Sequence, residues 1–156
     1  MKSQPKMIIL VGLPACGKNT WITNIKNKNK LKSFTIIELD WIRSEIFGHQ
    51  YHLPSEPFVI ALAKTIGLML CSQGKNVLIN STGITYAVRK DWITLANKCG
   101  YKTEIVWFQA DLDTCLKRNS KRTFGRVPDA TIFNMAEALK LNMPYGLEVN
   151  KITEVK

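Results

Sequence analysis

"VGLPACGKNT" (residues 11–20) is the stretch whose reading decides the fold. It spells the phosphate-binding pattern G-x-x-x-x-G-K-[ST] with Gly12, Gly17 and Lys18 in register, and it puts Asn19 where the pattern wants a hydroxyl. Gly12 and Gly17 permit backbone geometry that a side chain obstructs. The loop between them, through Pro14, Ala15 and Cys16, can then aim successive N–H groups into one concavity that accepts phosphate oxygens. Lys18 supplies an ammonium for the outer phosphates, and a helix starting there adds the positive end of its dipole. The alternative is a chance glycine turn between a strand and a helix.

The flanks suit the first reading. "KMIILV" (6–11) is a short, continuous apolar run after its lysine, of the kind that forms a buried strand, and residues 18 to about 28 place Trp21, Ile22 and Ile25 on one helical face. Further along, "FTIIEL" (34–39), "KNVLIN" (75–80) and "YKTEIVWFQA" (101–110) read as strands. Between them, residues 41–48, 58–72 and 86–98 read as helices, and a further helix opens at Asp111 or Asp113. Another helix follows Pro128, and the tail after Asn142 has no clear pattern. Alternating strands and helices predict one α/β domain over residues 1–156, a parallel sheet of about four to five strands with helices on both faces. Ligands in such sheets gather at the carboxyl ends of the strands, and the Gly12 loop, Asp40 and Asn80–Thr82 all fall there.

The chain has 156 residues, 46% of them hydrophobic, and a net charge of +10. That excess favours a polyanionic partner such as nucleic acid or nucleotide phosphates, or else reflects solubilising lysines scattered over the surface. The four cysteines (Cys16, Cys71, Cys99, Cys115) form no C-x-x-C pair, which speaks against a zinc ribbon and for free thiols in the cytoplasm. The N-terminus does not read as a signal peptide. The most apolar segment, Phe58 to Cys71, is interrupted by Lys64 and is shorter than the ~20 residues of a membrane span, so a buried helix and no membrane partner are expected. Cys16 is open to oxidation or alkylation if its thiol is exposed.

Asn19 bears on metal binding. A Ser or Thr hydroxyl at this position ligates Mg²⁺; an amide oxygen can also ligate a hard cation, though from a longer side chain. Asn19 is therefore the candidate Mg²⁺ contact, direct or through water, and Thr20 the candidate contact to the α-phosphate. Asp40 is either a general base for an attacking hydroxyl or the N-cap of the helix that follows. Arg43 lies on the same helical face, where it can hold an acceptor phosphate or pair with Glu38 or Glu45. "LKRNSKRTFGR" (116–126) puts Arg118 and Arg122 four residues apart. On one helix face they could close over ATP as a lid; otherwise they form a solvated basic face.

Taken together these residues resemble the kinase domain of the bacteriophage polynucleotide 5′-hydroxyl kinase family. "GLPACGKNTW" (12–21) matches that family's G-x-P-x-x-G-K-S-T-W apart from Asn19. Asp40 and Arg43 match its D-x-x-R, Lys117 to Arg122 match its K-R-N-S-K-R lid, and Val127 and Pro128 match the V-P that follows. The resemblance spans roughly residues 7 to 147. It implies a P-loop kinase fold with an arginine-bearing helical lid, with ATP (or another NTP) and Mg²⁺ bound. It implies Asp40 as general base, Lys18 on the donor phosphates, Arg118 and Arg122 acting from the lid, and Arg43 on the acceptor phosphate. The family's D-T-N at the third strand end is replaced here by Ser81, Thr82 and Gly83, which leaves Ser81 and Thr82 as candidate acceptor contacts. No D-x-D-G-T phosphatase motif occurs in the chain.

The expectation is phosphoryl transfer from ATP to a hydroxyl of nucleic acid, most simply the 5′-OH of a DNA or RNA end. Trp41, Phe47 and Tyr51 are candidates to stack on a terminal base, or else are packed residues. Two alternatives stay open. One is kinase action on a hydroxymethylated base, a nucleoside or another small alcohol, motivated by Ser81–Gly83. The other is a nucleotide-binding nucleic-acid module with little catalysis, motivated by Asn19.

Overall fold

The structure is a computed structural model that describes residues 4–28, 30, 33–48, 52–146 and 148–156. Tyr51, a stacking candidate from the sequence, lies outside them. β1 (Lys6–Val11), β2 (Phe34–Glu38), β3 (Asn76–Asn80), β4 (Lys102–Phe108) and β5 (Lys151–Val155) form one sheet. Its strand order is β2-β3-β1-β4-β5, and every neighbouring pair is parallel. β1 is central, pairing Ile8 with Leu78 on one side and with Glu104 on the other. Met7 to Val11 are buried on both faces, which is why that strand reads as an unbroken apolar run.

The pleat divides the core in two. Ile8 and Leu10 face α1 (Lys18–Asn27), α5 (Leu112–Ser120) and α6 (Asp129–Leu141), where Ile22, Cys115 and Ala136 are buried. Met7, Ile9 and Val11 face α3 (Glu56–Ser72) and α4 (Tyr86–Lys98), where Val59, Ala63, Trp92, Ile93 and Ala96 are buried. Gly67 lets α3 approach α4, since a Cβ there would sit 3.0 Å from the Trp92 ring. Among the described residues no helix is long and apolar enough to cross a membrane.

Four readings from sequence need correction. α3 is not a buried helix: only the stripe Val59, Ala63, Gly67, Cys71 faces inward, while Phe58 is 65% exposed and Leu68 and Met69 are more than half exposed. It packs one face against β2 and β3, so its apolar content exceeds what the core takes up. The segment after β2 is a short helix, α2 (Leu39–Trp41), running into a π-type turn over Ile42–Ile46. Its N-cap is Glu38 without a side-chain cap bond, so Asp40 lies inside the helix and is not its cap. The basic motif at 117–122 is not one helical face, because α5 ends at Ser120 and Arg122 lies in the loop beyond. The patternless tail holds β5, an edge strand that needs only Ile152 and Val155 half-buried and so carries little periodicity.

Candidate active site

The cup begins where β1 ends. Gly12 has φ 155° and donates its N–H to the Thr82 carbonyl (2.9 Å), which ties the loop to the exit of β3. A Cβ on Gly12 would fall 2.7 Å from Cys16 Sγ and 2.9 Å from Phe108 Cβ, so no larger residue fits. Ala15 is in the left-handed region (φ 62°), the one non-glycine there among the described residues. Gly17 (φ 108°) turns the chain into α1. No side chain caps α1 and no acidic residue occupies its first turn, so the dipole end and its amides face the cup unopposed.

Lys18 folds back over this cup. Its Nζ donates to the carbonyls of Gly12 and Leu13 (2.8 Å each) and lies 3.5 Å from Cys16 Sγ. Burial pushes its ammonium below the usual lysine value; the nearby Cys16 opposes that shift and Arg122 adds to it. Cys16 itself is buried, so the exposure that thiol modification requires is not met. A separate recess of about 390 Å³, between α1 and the amino-terminal strand ends and lined by Lys6, Trp21, Phe34 and Asn76, lies away from this chemistry.

Asn19 and Thr20 are exposed on the first turn of α1. Asn19 Oδ1 accepts a hydrogen bond from Asn80 Nδ2 (3.0 Å), so the residue at the anomalous position is steered by the last residue of β3. Sequence reading noted Asn80 at a strand end but gave it no role; nothing in the pattern names a partner 61 residues away. Next to it, Ser81 Oγ is buried without a hydrogen-bond partner among the described residues. Gly83 (φ 56°) passes so close to β1 that a Cβ would meet the Leu10 carbonyl at 2.9 Å.

Asp40 is 96% exposed, and its Oδ1 accepts from Arg43 Nη1 at 2.6 Å. In place of Glu38 or Glu45, the ion-pair alternatives offered by the sequence, Arg43 binds Glu56 through Nε and Nη2 at 2.8 Å each. Those contacts, Glu56 first, raise the guanidinium pKa above its usual value. Glu56 escaped the sequence reading because it looks like a first-turn helix residue. Trp41 is 54% exposed, whereas Phe47 packs against the core.

From the other side, α5 opens with Asp111, whose Oδ1 accepts from Thr114 N at 2.8 Å. Arg118 projects to the cup: its Nη1 is 3.9 Å from where a Cβ on Gly17 would lie. Arg122 donates to the Gly125 carbonyl (3.2 Å). Arg118, on α5, thus reaches the cup, while Arg122, in the loop beyond, is bonded within that loop.

A second feature was absent from the sequence reading. Arg89, wholly buried on α4, pairs in bidentate fashion with the buried Glu148 and donates to the Gly83 and Ile84 carbonyls. It fastens the β3 exit loop and the segment before β5 together.

The sequence matches the family described as an AAA domain over residues 7–141. The chain belongs to this AAA-domain family. Its five-stranded parallel sheet and phosphate cup are those of a P-loop kinase-like fold. Among solved structures, it resembles a chain of the Pnkp1/Rnl/Hen1 RNA repair complex at 20% identity and a TM-score of 0.78, covering 90% of this AAA-domain chain and 46% of that one. It also resembles a chain of the PezAT chromosomal toxin–antitoxin system of Streptococcus pneumoniae (28% identity, TM-score 0.57, 68% of this chain and 48% of that one). A third likeness is to a gluconokinase from Sinorhizobium meliloti 1021 (18% identity, TM-score 0.61, 99% and 83%). The chain thus spans about half the length of the RNA-repair protein it matches.

Proposed function

We propose that this protein transfers the γ-phosphate of ATP to a hydroxyl of nucleic acid, the 5′-OH of a DNA or RNA end. The observation that carries this reading is the placement of Asp40. It stands exposed beyond the carboxyl end of β2, and the phosphate cup stands beyond β1, with β3 between them. Two interstrand steps separate the sites by about 10 Å, room for a terminal phosphate and the hydroxyl that attacks it.

Each residue then has a task. The N–H groups of Ala15, Gly17 and Lys18 and the α1 dipole hold the β-phosphate region. Lys18 exchanges its two carbonyl partners for phosphate oxygens. Arg118 and Arg122 approach from the lid and neutralise charge on the transferring group. Asp40, steadied by Arg43, takes the proton of the acceptor hydroxyl as it attacks in line. The donor set suits Mg²⁺ brought in on the nucleotide, since the Asn19 amide oxygen and the unpartnered Ser81 hydroxyl are neutral oxygens and phosphate supplies the charge. When bound, that ion screens the phosphate oxygens. The net charge of +10 fits a polyanionic acceptor, and the likeness to an RNA repair protein points the same way.

One observation favours the second reading, a small neutral alcohol or modified base. Arg43, the candidate for the acceptor phosphate, is already paired with Glu56 and Asp40. The experiment offers labelled ATP and Mg²⁺ together with 5′-OH oligonucleotides, hydroxymethylated DNA, nucleosides and sugars. Label on the 5′-OH oligonucleotides is expected. Label only on small alcohols selects the second reading, and ATP bound without transfer to any acceptor leaves a nucleotide-binding module.

A further inference from the structure

We infer that the loop between α5 and α6 is a nucleobase-stacking site with Phe124 as its platform. This rests on the nucleotide reading above and adds what meets the base.

Phe124 is 74% exposed, more than any other aromatic side chain among the described residues. The loop that carries it is nonetheless tightly built. Asn119, wholly buried, grips both polar groups of Val127: its Nδ2 donates to the Val127 carbonyl (2.7 Å) and its Oδ1 accepts the Val127 N–H (3.0 Å). Within that clasp the Arg122 N–H donates to the Asn119 carbonyl (3.1 Å), and Arg122 Nη1 donates to the Gly125 carbonyl (3.2 Å). Gly125 at φ 68° makes the reversal, in a conformation that side chains resist. The loop is thus fixed from inside while its one large apolar side chain is left in water, at a cost in hydrophobic free energy. An aromatic ring held outward by an ordered backbone is a surface built for contact.

Its surroundings narrow the ligand. Lys121, Arg122 and Arg126 are all exposed in the same loop, and no acidic residue lies between Asn119 and Pro128. Flat aromatic faces set among cations suit a π-system joined to phosphate. The loop also borders the cup: Arg118 at its root reaches Gly17, and Arg122 is near enough to influence Lys18. A nucleobase can come here from the donor nucleotide or from the end of the acceptor strand.

The test compares Phe124→Ala, Phe124→Leu and Phe124→Trp with the parent protein, by equilibrium binding. The donor arm sets ATP against inorganic tripolyphosphate. The acceptor arm sets a 5′-OH oligonucleotide against the same strand with an abasic 5′ end. Phe124→Ala is expected to weaken ATP or the intact strand by about five- to 100-fold, the worth of one base stack. Tripolyphosphate and the abasic strand keep their affinity, Phe124→Leu behaves like the alanine variant, and Phe124→Trp retains binding. Whichever arm responds names the source of the base. Unchanged binding in both arms, equal losses with and without the base, or full retention by Phe124→Leu would overturn the site. If the parent binds neither ATP nor tripolyphosphate, the nucleotide reading itself fails, and the site is then decided by the acceptor arm alone. A base-dependent loss without any phosphoryl transfer leaves the stacking site standing alone.

Discussion

Glu56 holds Arg43 by two parallel hydrogen bonds of 2.8 Å, Nε to Oε1 and Nη2 to Oε2, and both side chains are largely buried. The pair is a fork-to-fork contact of the strong, oriented kind. Its effect passes to Asp40, which takes its bond from the third nitrogen of the same guanidinium.

Glu56→Gln tests that chain of contacts. If Arg43 chiefly positions Asp40, the substitution lowers kcat by roughly tenfold with KM for the acceptor little changed, because a looser base costs orientation. If Arg43 instead grips an acceptor phosphate, releasing it from Glu56 lowers KM. Steady-state kinetics on a 5′-OH oligonucleotide separate the two.

Asp40→Asn removes the proton acceptor and keeps the size of the side chain. Transfer is expected to fall by about 10²–10⁴ while ATP binding holds. Binding measured by calorimetry beside a labelled-phosphate assay checks both halves. A variant that still transfers at parental rate would remove Asp40 from the mechanism.

How much of this was legible in the chain depends on the range of the contact. The cup was readable because its parts are consecutive: glycines at fixed offsets, a buried strand before and a helix after. Gly12, Gly17 and Lys18 stand where the spacing put them. Asp40 was placed at the right strand end, yet its partner arrangement was not, because Glu56 is remote and looks like any helix opener. Asn80 and Glu148 were missed for the same reason; each meets its partner across about 60 residues. Arg89 was hidden by its type, since an arginine on an amphipathic helix reads as solvated until something buries it. The lid was misread in one detail. Four-residue spacing implies a shared face only while the helix lasts, and α5 stops before Arg122.

On the proposed reading, Lys18 makes nucleotide binding depend on protons. Burial holds its ammonium below the ordinary lysine value in the empty protein, and phosphate oxygens would draw it back up. Binding therefore takes up a fraction of a proton, at most about one, on the alkaline side, and affinity falls as pH climbs from the depressed value toward that of the complex. In the same window the unfolded chain carries more protons than the folded one, so the empty protein gains stability with rising pH. Calorimetry in buffers of different ionisation enthalpy measures the uptake. Lys18→Met is expected to abolish it; proton release by the parent would contradict the sign.

Arg89 and Glu148 are wholly buried, with 2.9 Å at both contacts. Arg89→Met strands a carboxylate in the interior and is expected to cost about 3–5 kcal/mol in urea unfolding. Adding Glu148→Leu should restore much of that loss. ATP affinity should drop in both variants, since the Gly83 and Ile84 carbonyls lose their donor beside the loop that Thr82 ties to Gly12.

The folded-back posture of Lys18 has a consequence for ligand choice. Its ammonium is engaged by two main-chain oxygens of the cup, contacts that any ligand drawing on Lys18 must replace. A lone inorganic anion offers little in exchange for them. A polyphosphate that spans the loop amides and Arg118 together offers several contacts at once, so on the proposed reading the cup favours a nucleotide over small anions.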